Sequence, residues 1–395
     1  MAGCLDGMRV LDLGRYQAGP RCGLMLHDLG AEVIKVEKPG GEEGRENGPF
    51  VNGWSVYWAQ YNRGKKSITL NMRDGRAKDI LKGLVKISDV LIQNFRPGVI
   101  ADMGFGYDVL KKLNPKIIMT NVSAYGQFGP YRERPGFDGI GQAISGHMDL
   151  TGFPENPPTR AYFSIIDRIT SLHATIGTLA ALREAEHSGE GQCVDVCLAD
   201  SGFTLTEIPI STYLATGKFS SRRGNRGQSE SAPNNTYMCS DGWVYITAGS
   251  RDMWRRVCRV IGKTEWMDDP RFQSRTSKVD HADMIDEAVS EWLGKHTMDE
   301  AVKIMSEADI PIAPCNDIPR AAKEPHLWER RMLMPVKNPD GGKDIYAAGE
   351  IIKLSRTPTI QGELSRPGQF NEEIMCGLLG MSKQTVEQYK AEGVI

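Results

Sequence analysis

The chain has 395 residues, 40% hydrophobic and 25% charged, with 48 Lys and Arg against 50 Asp and Glu and a formal net charge of −2. That length supports a large core and two domains or lobes, while the near-neutral balance excludes a broad electrostatic grip on nucleic acid and leaves room only for local basic clusters around a phosphorylated ligand. The eight cysteines lie scattered without a C-x-x-C pair and the seven histidines without H-E-x-x-H spacing, so neither a disulfide framework nor a metal site is expected.

Asp6, Arg9 and Asp12 fall too early for an unbroken apolar signal core, and no later stretch is long enough to span a bilayer, so a cytoplasmic protein is expected. In chain order, Val10–Leu13 reads as a short buried strand, Ala18-Gly19-Pro20 opens a helix that stops at Gly30, and Glu32–Glu37 is the next strand. The alternation continues with a strand at Ser67–Leu70, a helix from Gly75 to Ile87, a strand at Asp89–Gln93, a helix at Tyr107–Leu113 and a strand at Ile117–Val122. This is the pattern of a doubly wound α/β sheet, whose ligands bind beyond the carboxyl ends of the strands. Gln17, Lys38, Arg73, Arg96 and Tyr125 all fall just past predicted strand ends.

The run Tyr162–Ile166 reads as a short apolar strand leading into a helix whose apolar face is Ile169, Leu172, Ile176, Leu179 and Leu182. Asp167 then stands at a strand-to-helix junction. An Asp there ordinarily caps the orphan N–H groups of the first turn; the alternative is a carboxylate nucleophile in a partly dry pocket. Further on come a strand at Val194–Val196 and a helix from Asp200 to about Ala215. The polar, basic stretch Ser220–Gln228 reads as a linker or as a flap over a charged ligand.

Trp243–Thr247 is a strand, Met284–Leu293 an amphipathic helix, and Thr297 with Glu300 a capping box ahead of another helix. Glu350–Leu354 reads as a strand, and the tail as two helices, Asn371–Leu379 and Lys383–Glu392. Trp54, Tyr57, Trp58 and Tyr61 either line an apolar acyl pocket or simply pack. No G-x-S-x-G, P-loop or G-x-G-x-x-G motif is present, and the residues alone leave an α/β enzyme of unspecified reaction.

The segments QAGP, DLGAEVIKVEKPGG, NRGKKSITLNM, QNFRPG, MGFGYDVL, NVSAYGQFGP, IIDRITSLHATIGTLAAL and GEGQCVDVCLADS, in this order, resemble the class III coenzyme A transferases, the family of formyl-CoA:oxalate and carnitine CoA-transferases. The resemblance implies a Rossmann-type large domain built from both chain ends (1–220 and 331–395), a smaller inserted α+β domain (221–330), and an interlocked homodimer. It implies transfer of CoA from an acyl-CoA donor to a carboxylic acid through mixed-anhydride and aspartyl-CoA thioester intermediates on Asp167, with CoA as substrate and no permanently bound cofactor. CoA is then expected across Gln17, Ala18, Lys38, Leu70, Asn71, Met72, Arg73, Asn94, Phe95, Arg96, Ala124 and Tyr125, and a flap at Gly224, Gly227 and Gln228.

Asp102 and Ala124 stand where some members carry a basic residue, so phosphate anchoring differs here, with Arg222, Arg223 and Arg226 as possible compensation. Two rivals remain. One is an α-methylacyl-CoA racemase-like isomerase, disfavoured because Phe137 stands where those enzymes carry a histidine, with His147 ten residues on. The other is a non-catalytic partner subunit of a two-chain transferase.

Overall fold

The computed structural model describes residues 3–219, 221–226 and 232–395, the side chains of 275 and 276 apart. The chain divides into two compact units. The first contains Met1–His147, Arg160–Lys218 and His326–Ile395; the second contains Met148–Thr159 and Phe219–Pro325.

The first unit is built on a six-stranded parallel sheet: β1 Arg9–Asp12, β2 Glu32–Glu37, β3 Lys66–Thr69, β4 Val90–Gln93, β5 Ile118–Ser123 and β6 Cys193–Cys197. Their order is β3-β2-β1-β4-β5-β6, every neighbouring pair parallel. Successive side chains of a strand point to opposite faces, and the core splits accordingly. Val10, Val33, Ile92 and Ile118 face the helices Ala18–Asp28 and Ile165–Ser188 through Cys22, Leu26, Ala174 and Ala181. Leu11, Ile34, Leu91 and Met119 face the helix Gly75–Lys86 and the C-terminal residues Ile374, Met375, Val386 and Ile395. The chain's last segment therefore completes the core that its first segment begins. Burial on both faces explains the near-continuous apolar character of these strands.

The second unit has a three-stranded antiparallel sheet with Trp243–Thr247 between Asn234–Met238 and Ile312–Pro314. Helices Arg251–Val260, Ala282–Leu293 and Met298–Glu307 pack through Trp254, Ile285, Val289, Leu293 and Met305, all essentially buried. The Thr297–Glu300 capping box is formed in both directions.

Three elements differ from the sequence expectation. Tyr162–Ile166 is not a strand; the helix begins at Ile165, so Asp167 lies inside its first turn. A short apolar run carries no periodicity that separates a strand from a helix start. The helix expected over Asp200–Ala215 is two, Leu198–Phe203 and Glu207–Thr216. Pro209 cannot sit inside a continuous helix but is tolerated in a first turn, and the Thr206 hydroxyl donates to the Ser145 carbonyl at 2.6 Å in the break. The strand expected at Glu350–Leu354 lies earlier, at Ile345–Ala348, paired with Leu333–Val336. Beyond Ala348 the Gly349 and Glu350 N–H groups still donate to the Met332 and Arg331 carbonyls at 3.0 and 3.2 Å, but regular pairing stops at Arg331, whose φ of 56° is left-handed, and Glu350 pairs with Arg331 at 2.7 Å. None of the described helices is long and apolar enough to cross a membrane.

Candidate active site

Loops beyond the carboxyl ends of β1 to β5 converge on two adjoining clefts of the first unit, about 390 and 430 Å³, that share Arg15 and Phe95 as a common wall. Gln17, Ala18, Asn94, Arg96 and Ala124 line the first cleft together with Asp167; Lys38, Leu70, Asn71, Met72 and Arg73 line the second. Segments from Arg15 to Leu198 thus meet in one crevice, as the strand order requires. Tyr125 lines neither cleft and packs edge-on against Tyr131, ring centroids 5.7 Å apart. Gly224 belongs to the second unit, where its N–H donates to the Gly152 carbonyl at 3.0 Å. Gly227 and Gln228 lie outside the described residues.

The cap of the Ile165–Ser188 helix is made by a residue the sequence reading passes over. Ser164, at the N-cap, makes no side-chain cap bond. Instead Asp138, on the helix Asp138–Ile144, accepts through Oδ1 from the N–H of Ile166 at 2.8 Å and of Asp167 at 3.3 Å. Its other oxygen accepts from Gln142 Nε2 at 2.6 Å and Arg160 Nη2 at 3.3 Å. Asp138 is therefore buried and paired, and the capping task that position alone would give Asp167 is already taken. Nothing in local spacing signals this, because cap and helix lie about 30 residues apart.

Burial pushes the Asp167 carboxyl up to about 7; the nearby negative charge of Asp138 adds to the rise, and Arg160 and Arg168 oppose it. A carboxylate held near neutrality in a cleft is poised to be an accessible nucleophile at physiological pH.

Gln17 stands beside it. Its Nε2 donates to Ser164 Oγ at 3.2 Å, and its Oε1 accepts from the Tyr61 hydroxyl at 3.0 Å. Tyr57 packs edge-on to Tyr61 at 5.0 Å. Trp54 and Trp58 instead belong to a buried cluster with Val336, Ile345, Ala347 and Leu364, so only the two tyrosines of that aromatic group approach the site.

Across the crevice Asn94 clasps the loop after β1 at two points, accepting from Arg15 N–H at 2.7 Å and donating to Arg15 C=O at 2.8 Å. Lys38 pairs with Glu43 at 2.8 Å, and Arg15 meets the other oxygen of the same carboxylate. The Lys38 hydrogen bond leads in holding Glu43 down to about 2. Arg73 and Arg96 are exposed, and neither has a carboxylate partner among the described residues. Arg222 pairs with Asp149 and Arg226 with Asp283 and Asp286, all within the second unit. Among the described residues no cluster of three or more His, Cys, Asp or Glu side chains could hold a metal ion.

Residues 5–369 match CoA-transferase family III, and the chain belongs to that family. It is 37% identical to the succinyl-CoA–D-citramalate CoA-transferase of Chloroflexus aurantiacus, covering 99% of this chain and 98% of that one. It is 34% identical to the succinyl-CoA–L-malate CoA-transferase beta subunit of the same organism, with coverage of 99% and 98%. A solved CAIB/BAIF family protein from Brucella suis superposes with a TM-score of 0.85 at 30% identity, over 96% of this chain and 100% of that one.

Proposed function

We propose that the chain transfers CoA from an acyl-CoA donor to a carboxylic acid, with Asp167 as the covalent nucleophile. The observation that carries this is a cleft-lining carboxylate relieved of helix capping by Asp138 and held beside the Gln17 amide. Ionised Asp167 attacks the thioester carbonyl, forming a mixed anhydride and expelling CoA thiolate. The thiolate then attacks the aspartyl carbonyl, giving an aspartyl-CoA thioester and releasing the donor acid. The acceptor carboxylate attacks that thioester and again expels thiolate, which takes the acceptor's acyl carbon, so product acyl-CoA leaves and Asp167 is regenerated. Each step is an acyl transfer between good leaving groups, which is what covalent catalysis gains over direct exchange. The Gln17 Nε2 is a donor within the cleft for the oxyanions that form on the way.

Lys38, Arg73 and Arg96 supply the phosphate contacts, with Lys38 exchanging Glu43 for phosphate. The names of the relatives favour succinyl-CoA as donor and a small dicarboxylic or hydroxy-dicarboxylic acid as acceptor. A homodimer is supported by the helix Glu207–Thr216, which buries no residue in the single chain and exposes Ile208 at 59% and Leu214 at 78%. A racemase is not favoured: Phe137 lines the cleft, 71% exposed, and a phenyl ring carries no proton to exchange.

The test omits the acceptor. The pure protein is incubated with a panel of acyl-CoA donors and quenched with hydroxylamine, and its tryptic peptides are weighed. The peptide 161–168, AYFSIIDR, has Asp167 as its one side-chain carboxylate. A donor-dependent hydroxamate there supports the reading; an unmodified peptide with every donor, while CoA still binds, removes it in favour of a partner-subunit role.

A further inference from the structure

At the base of the crevice lies a group of four charges, three of them beneath its surface and the fourth, Glu42, lining the second cleft, to which the proposed reaction assigns no step. Asp12, the last residue of β1, and Lys35 on β2 face each other in register, both fully buried, with Nζ 3.8 Å from Oδ1. Lys35 also pairs with Glu42 at 2.8 Å and donates to the Gly14 carbonyl. Lys65 Nζ places its three protons on Asp12 Oδ2 at 2.7 Å, the Pro20 carbonyl at 2.7 Å and Asn62 Oδ1 at 2.8 Å. Asp12 Oδ1 accepts the Gly14 N–H at 2.8 Å. Two cations balance two anions.

Such a cluster is a poor source of stability, since each ion loses several kcal/mol of hydration on burial. Its geometry serves another end. The main-chain groups it grips in that turn are Gly14 N–H, Gly14 C=O and Pro20 C=O, which bracket the turn carrying Arg15, Tyr16 and Gln17. Tyr16 is held there at φ 61°, a left-handed conformation that a non-glycine residue keeps only when its surroundings impose it. The fit has no slack, because a Cβ on Gly14 would stand 2.9 Å from Asp12 Oδ1 and one on Gly23 3.0 Å from Oδ2.

We propose that the buried quartet Asp12, Lys35, Glu42 and Lys65 is a positioning device that fixes the Gly14–Pro20 turn and thereby holds the Gln17 amide beside Asp167. The kinetic part of this inference rests on the transferase reading; the structural part does not.

The experiment compares wild type, Lys65→Met, and the charge-balanced double variant Asp12→Asn/Lys65→Met. It measures melting temperature, CoA dissociation constant, kcat with succinyl-CoA and a dicarboxylate panel, and hydrogen exchange of the peptide 13–20. A turn displaced by a fraction of an ångström lowers kcat roughly tenfold or more, and CoA affinity falls by less than kcat does, because the phosphate contacts proposed for Lys38, Arg73 and Arg96 lie outside that turn. The double variant recovers melting temperature relative to Lys65→Met but not kcat, and its peptide 13–20 exchanges faster than wild type. Recovery of kcat in step with melting temperature, or unchanged exchange in that peptide, overturns the proposal. If wild type moves CoA from no donor, the transferase reading falls, and the exchange comparison alone decides the positioning role.

Discussion

Replacing Asp167 by Asn should make the protein more stable at neutral pH and not at acid pH. Asp167 titrates at about 7 in the folded chain against 3.8 for an ordinary Asp, chiefly because burial penalises its charge. The folded state therefore retains a proton that the unfolded chain has lost between these two values, and stability falls as pH rises through that window. Below pH 4 both states are protonated and the wild-type residue behaves like a neutral amide. Above pH 7 the full cost is present. About three units at about 1.36 kcal/mol each give a ceiling near 4 kcal/mol, and screening at the open side of the cleft brings the expectation to about 2–3 kcal/mol. For a unit of this size that is roughly 5 °C in melting temperature. Thermal unfolding of wild type and Asp167→Asn at intervals from pH 4 to 9 should show a difference that opens through pH 4–7 and then levels. Parallel curves across the range, or a wild type more stable than the variant at pH 8, would refute the argument that Asp167 is a partly buried carboxylate with no ion-pair partner among the described residues.

On the proposed mechanism, in which the ionised form attacks, transfer with saturating donor should rise through an acid limb near pH 7, and Asp167→Ala should reduce it to background; stopped assays over pH 5–9 check both. Asp138→Asn removes a neighbouring charge that helps raise the Asp167 value, so the same limb should move to lower pH by roughly half a unit to one unit, with about 1 kcal/mol lost from the weakened cap; a limb moving upward would contradict the electrostatic argument. Arg73→Ala and Arg96→Ala should each weaken CoA binding by roughly tenfold or more, with a smaller salt dependence than wild type, as read by calorimetry at two ionic strengths. Gly191→Ala would set a Cβ 2.1 Å from the Ile117 carbonyl oxygen, a backbone atom with no rotamer to yield; a fall in melting temperature and soluble yield is expected, and a wild-type melting curve would count against the packing there.

The central sheet was legible because its strands are short, apolar and separated by helices with clear ends: Glu32–Glu37 and Tyr107–Leu113 lie where periodicity puts them. The crevice was legible for the same reason, since a strand end is a place, and Gln17, Arg73 and Arg96 follow strand ends in the sequence and line the two clefts in the fold. What escaped was whatever depends on contacts far apart in sequence. Asp138 reads as one acid among 50 until the helix it caps is folded against it. Nothing in the sequence sets Lys35 and Lys65 apart from other lysines, yet both are buried against Asp12. The break before Pro209 was visible in composition, but apolar content on both sides masked it.

The pair of hydrogen bonds between the Asn94 amide and the Arg15 main chain ties two loops at the point where the sheet's winding changes direction. A crevice whose dividing wall is latched in this way keeps its width before any ligand arrives. If CoA binds as proposed, that wall acts as a mould and not as a jaw, so the heat and heat capacity of CoA binding should report contact and desolvation with little contribution from closure. Substituting Phe137, edge-on to Tyr16 of that latched loop at 6.3 Å, then changes the lining of the first cleft without altering the Lys38 and Arg73 side of the second.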